Sequence, residues 1–153
     1  MEFVSEVIID KIAESLNQKE GDYENIVTTL QEEQAPLFGY IFSENLSVLT
    51  QEEREFLLYL LIVILKSAEN IRGSNKHVSK KELEDAEEYN WATLDNKAPG
   101  AFRDRLDTFF ENYDQEDLLA FVEDALMDSE DGLVTKEGRE VVFVFLKSVI
   151  DCF

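Results

Sequence analysis

The sequence predicts an all-α fold, a single-domain helical bundle of about six to seven helices spanning 1–153, and three observations carry that prediction. Residues 56 to 65 read Phe-Leu-Leu-Tyr-Leu-Leu-Ile-Val-Ile-Leu, ten apolar positions without a break. Just before them, Thr50-Gln51-Glu52-Glu53 fits a capping box, in which a threonine oxygen and a glutamate each satisfy a free N–H at a helix start. In other stretches, apolar residues recur at spacings of three and four, the mark of amphipathic helices. A helix over 50–67 that is apolar nearly all round must be enclosed by other elements. Its apolar part is about half the roughly 20 residues needed to cross a bilayer, so it reads as a core helix.

The shell follows in order along the chain. Val4, Val7, Ile8, Ile12 and Leu16 mark one face of a first helix. Gly21 and Asp22 punctuate, and Ile26, Val27 and Leu30 mark a second helix. Pro36 lacks the N–H that a helix interior must donate, so it is placed in the first turn of a new short helix through Leu37, Phe38, Ile41 and Phe42. The linker Ser43 to Leu49 leads to the central helix, which ends before Gly73. Ser79-Lys80-Lys81-Glu82 is a second capping box, with Val78 and Leu83 as its staple. Weak periodicity follows, and Tyr89 to Gly100, with Trp91 and the turn dipeptide Pro99-Gly100, predicts an irregular connection. Phe102, Leu106, Phe109, Phe110 and Tyr113 form the next helical stripe. Asp114 fits an N-cap for a further helix with Leu118, Leu119, Val122, Ala125 and Leu126 on its core face. The last element starts near Thr135 and runs to about 152, although Val141 to Leu146 alone would also suit a buried strand.

An internal similarity favours the helix. At a constant offset, Thr50, Glu52, Arg54, Glu55 and Leu61 match Thr135, Glu137, Arg139, Glu140 and Leu146, and the apolar runs coincide. The expectation is a pair of buried apolar helices, 50–67 and 135–152, within repeat units 23–69 and 108–153 joined by 70–107. Converging helix caps would produce part of the same match, because helix entries draw on few residue types.

Composition narrows the function classes. With 44% hydrophobic residues and 17 aromatics the chain is a folded globule, while 34 acidic against 14 basic residues give a net charge of -20. That charge repels phosphate backbones and anionic lipid, which argues against nucleic-acid and membrane partners. It serves solubility first, and beyond that suits a basic protein partner. One cysteine, Cys152, cannot form an internal disulfide, and the acidic N-terminus is unlike a secretory signal, so the expected location is cytoplasmic.

Motifs for chemistry are mostly missing. Zinc needs a cluster of thiolate or imidazole ligands, and Cys152 and His77 are the only two such residues. His77 has no local nucleophile motif, and the six scattered glycines form neither a Walker loop nor a dinucleotide fingerprint, so no catalytic residue and no cofactor is assigned. Asp128, Glu130 and Asp131 before Gly132 suggest a calcium loop, but that register puts Met127, Ser129 and Gly138 where ligands belong. What remains is a charge asymmetry: residues 107 to 131 hold ten acids and no Lys or Arg. Asp107, Glu111, Asp114, Glu116, Asp117, Glu123 and Asp124 are therefore the candidate partner-contact face. The leading expectation is a non-catalytic protein acting by protein–protein contact. The alternatives are a carboxylate-based divalent-metal-binding protein or enzyme, and a self-associating structural protein whose oligomeric state the sequence leaves open.

Overall fold

In a computed structural model, which describes residues 2–18, 20–96, 100–127 and 134–153, the box at Thr50 forms as its sequence predicts. Thr50 Oγ1 accepts from Glu53 N at 3.1 Å, and Glu53 Oε1 accepts from Thr50 N at 2.9 Å. Among the described residues there are eight α-helices, a single 3-10 turn at Glu44–Leu46 and no strand. They are α1 (Glu6–Gln18), α2 (Glu20–Glu33), α3 (Ala35–Ile41), α4 (Gln51–Arg72), α5 (Lys80–Asp95), α6 (Phe102–Phe110), α7 (Glu116–Met127) and α8 (Lys136–Asp151).

Several boundaries differ from expectation for physical reasons. Gly21 and Asp22 lie in the first turn of α2 rather than ahead of it, where the unpaired N–H groups tolerate them. The span from Tyr89 onwards is not an irregular connection, because α5 continues through Trp91 and Leu94 to Asp95. Its periodicity is weak in sequence because two of its buried residues, Glu87 and Asn90, are polar. Glu87 accepts from Tyr40 Oη and the Asn90 amide nitrogen donates to Ser148 Oγ, partners from elsewhere in the chain that help to keep these polar side chains inside. The helix after Phe110 starts at Glu116, with the Gln115 carbonyl accepting from Leu119 N, so Asp114 does not open it. Pro99 and the acidic stretch 128–132 lie outside the described residues.

The core is a seam between α4 and α8. Leu57 and Leu60 to Leu65 on one side, and Val142 to Leu146 on the other, are buried, with Leu61 and Leu146 both at 0% exposure. Val141 to Leu146 lies within α8 and is helix. α4 ends at Gly73, whose left-handed φ of 82° and N–H to Glu69 O close the last turn. Around the seam, α1 packs on α4 and α7, while α5 packs on α8 and α3.

Two glutamines tie the shell together in the same way. Gln34, just ahead of α3, accepts from Val78 N (3.1 Å) and donates to Lys76 O (2.9 Å), fixing the extended entry to α5. Gln115, just ahead of α7, accepts from Val4 N (3.0 Å) and donates to Glu2 O (2.8 Å), fixing the entry to α1. Both valines are fully buried.

Candidate functional site

The clearest acidic concavity lies between α1 and α7, helices far apart in the sequence. α1 carries its apolar stripe through Ile9, and α7 carries Phe121 beside Leu118 and Val122. Where the two helices meet, Ile9, Ala120, Phe121 and Ala125 line a groove of about 270 Å³. Glu6 and Asp10 on the α1 wall, and Asp117 and Asp124 on the α7 wall, add four carboxylates and no cation to its lining. Ala120 and Ala125 present only a methyl group each and leave the space between the two helices unfilled.

One rim acid has a structural task as well. Asp117 Oδ2 accepts from Glu6 N at 2.9 Å, so α7 caps the first turn of α1 from outside. Asp124 binds the Arg103 guanidinium at 3.0 Å.

Of the seven acids assigned from sequence, two line this groove. Asp117 and Asp124 enter the groove, joined by Glu6 and Asp10, which sequence reasoning missed. The missed pair is more than 100 positions away in the chain, and only the α1–α7 packing brings it there. Glu123 turns to the α6 side, 4.0 Å from Arg103. Burial pushes its carboxyl up, Arg103 pulls it down, and Asp124 and Asp107 push it up, with a net rise. Asp107 is exposed on α6, and Glu116 is exposed in the first turn of α7. Glu111 and Asp114 are exposed at the α6–α7 corner, where Asn112 takes a left-handed φ of 54°. The absence of basic residues within 107–131 is thus offset in space by Arg103.

Other polar clusters are occupied by structure. Lys147, on α8, is nearly buried, with Asp151 at 2.9 Å and the rings of Tyr113 and Phe109 at 4.5 and 5.6 Å. Asp151 also accepts from Tyr113 Oη at 2.6 Å and from Asn90 Nδ2 at 3.0 Å. Its carboxylate is fully engaged, and burial with the neighbouring Asp151 charge holds the Tyr113 hydroxyl well above its ordinary pKa. Glu87 accepts from Tyr40 Oη, and burial pushes its carboxyl up against the lowering effect of that bond. Cys152 is buried, and burial pushes its thiol up to about 11, so it stays protonated near neutral pH and is a poor nucleophile. In the basic stretch 70–81, Lys76, Lys80 and Lys81 pair with Glu82, Glu84 and Asp85, while His77 is exposed.

A larger cavity of about 470 Å³ has Arg103, Arg105, Lys136 and Arg139 in its walls. Arg105 is neutralised by Glu140 and Arg103 by Asp124, and Arg139 stacks over the Phe102 ring. Its walls end at Gly100, Met127 and Lys136, next to residues 97–99 and 128–133, which lie outside the described residues.

Among the described residues, no group of three or more His, Cys, Asp and Glu is placed to hold a metal ion, and no helix is long and apolar enough to cross a membrane. No protein-family model matches the chain, and no curated protein or solved structure gives a match either.

Proposed function

We propose that the chain is a non-catalytic module acting by protein contact, and that the α1/α7 groove receives a basic segment of a protein partner. The observation that carries this reading is the combination of an apolar floor with a rim of four carboxylates in a chain of net charge -20. An aliphatic side chain fits the floor, where each Å² of apolar area removed from water contributes about 25 cal/mol. Lysine or arginine on either side of it meets Glu6 and Asp10 on one wall and Asp117 on the other, where Asp124 is shared with Arg103. Rim pairs are exposed and contribute up to about 1 kcal/mol each, so they set selectivity and encounter rate while the floor supplies depth. Nucleic acid suits the rim poorly, because phosphate and carboxylate repel. A cytoplasmic location belongs to the same reading, since the single thiol is buried and calls for no oxidising compartment.

The other readings draw less support. Divalent-metal chemistry through carboxylates has no three-acid cluster among the described residues to work with. Self-association through the two apolar helices needs a face left uncovered, and the apolar faces of α4 and α8 are enclosed by the chain's own shell.

Calorimetry with a synthetic helical peptide of leucine and lysine provides the test. The wild-type chain binds it, and the affinity falls as salt shortens the screening length. Asp10→Asn with Asp124→Asn weakens binding by about tenfold, the equivalent of two rim pairs. Glu24→Gln with Glu32→Gln, which removes the same charge from the exposed face of α2, changes it by less than about twofold. Equal weakening by both pairs would mean that the whole negative surface attracts the peptide, and the groove assignment fails.

A further inference from the structure

We infer that the chain is two copies of one four-helix unit, α1–α4 and α5–α8, joined across an interface that each copy presents to the other, with a pseudo-two-fold axis passing by Glu53. The interface is crossed. α1 of the first unit packs on α7 of the second, and α5 of the second packs on α3 of the first, while α4 meets α8 at the centre. The glutamine clamps cross in the same sense: Gln34 of the first unit holds the entry to α5, and Gln115 of the second holds the entry to α1.

The sequence follows this geometry at three shifting offsets, as a duplicated chain with unequal loops would. Val4-Ser5 corresponds to Val78-Ser79, and in each case the serine carbonyl accepts the first helical N–H, from Ile9 or Leu83. Gln34 followed by Leu37 and Phe38 corresponds to Gln115 followed by Leu118 and Leu119, and all six are buried. Thr50 corresponds to Thr135, with backbone angles of -71° and 167° against -71° and 166°. These units are wider than 23–69 and 108–153, because α5, within 70–107, is the counterpart of α1. Convergent capping explains matched threonines, but it does not explain two long-range glutamine clamps exchanged between halves.

At the axis the symmetry has to break. Glu53 Oε1 accepts from Thr50 N, and Oε2 accepts from Thr135 N (2.9 Å) and Thr135 Oγ1 (3.1 Å), so one carboxylate caps both central helices. The equivalent position in α8 is Gly138, and a Cβ there would overlap Glu53 Oε2. Two glutamates would place like charges in one buried site, so one copy carries glutamate and the other glycine.

This inference does not depend on what the groove binds, and it is tested by moving the carboxylate. Urea midpoints are compared for the full chain carrying Glu53→Gly, Gly138→Glu, or both. Each single substitution lowers the midpoint, the first by uncapping both helices and the second by crowding two carboxylates. In the double variant the new glutamate caps Thr135 from its own helix and Thr50 from across the axis, and most of the midpoint returns. A double variant no more stable than Glu53→Gly, or one that does not fold, overturns the two-fold relation. If Gly138→Glu alone does not fold, the comparison of Glu53→Gly with the double variant still decides. Gln34→Ala and Gln115→Ala give a second check, since equivalent clamps lose similar amounts, and a large loss from one with none from the other counts against equivalence.

Discussion

Glu53→Ala lowers stability by about 3 kcal/mol, the sum of two helix caps at about 1–2 kcal/mol each. The side chain is fully buried, and its loss removes the acceptor of the Thr50 and Thr135 N–H groups. For a chain of this size that loss corresponds to a fall in melting temperature of roughly 6–12 °C. Glu53→Gln separates charge from shape. An amide has one acceptor oxygen, and its NH₂ faces an N–H on the other side, so one of the two caps is lost even though the volume is kept. The pH dependence has a definite sign. Burial pushes the Glu53 carboxyl up, but hydrogen bonds from the Thr50 N–H and from Thr135 outweigh it, and the carboxyl lies below its ordinary value. Its contribution is therefore complete above the unfolded value of about 4.3 and is lost as pH falls through the lower folded value. Urea unfolding at several pH values shows a steeper acid limb in the wild type than in Glu53→Gln. A wild-type midpoint in Glu53→Ala would mean that the shared cap does not hold the seam.

Asp151→Ala costs about 2–3 kcal/mol, for a different reason. Lys147 is the buried member of the pair, at 7% exposure, with Asp151 as its acidic partner and the Phe109 and Tyr113 rings on either side. Removing the carboxylate leaves that ammonium uncompensated, and a broken buried pair costs about 3–5 kcal/mol before allowance for the partial exposure of Asp151. Adding Lys147→Met to Asp151→Ala recovers part of the loss, because a thioether between two rings needs no counter-charge. Thermal unfolding of the single and double variants measures the coupling. No recovery in the double variant would show that the loss comes from the Tyr113 and Asn90 bonds to Asp151 rather than from the stranded charge.

Most helix starts are legible from local signals, although Asp114 and Gly21-Asp22 mislead, and distant partners are not legible. Thr50 with Glu53, Ser79 with Glu82, and Pro36 in a first turn are short-range patterns, and the helices begin where they indicate. Most of the core is likewise visible, because unbroken apolar runs have to be enclosed. Hidden were the second oxygen of Glu53, whose partner lies 82 positions away, and the glutamine clamps, which span 42 to 113 positions. The acidic groove was half legible: Asp117 and Asp124 stand out by charge, whereas Glu6 and Asp10 look like the ordinary polar flank of an amphipathic helix. α5 was obscured because its buried face carries Glu87 and Asn90, whose partners Tyr40 and Ser148 lie 47 and 58 positions away.

Contact through the α1/α7 groove is tested most directly by titrating an isotope-labelled chain with the leucine–lysine peptide and following its backbone amide resonances. Occupation of the groove predicts that the largest changes fall on Glu6, Asp10, Asp117, Ala120 and Phe121, and that they saturate together with a single dissociation constant. Changes of equal size along the exposed acids of α2 and α5, or none along α1 and α7 at saturating peptide, would contradict it.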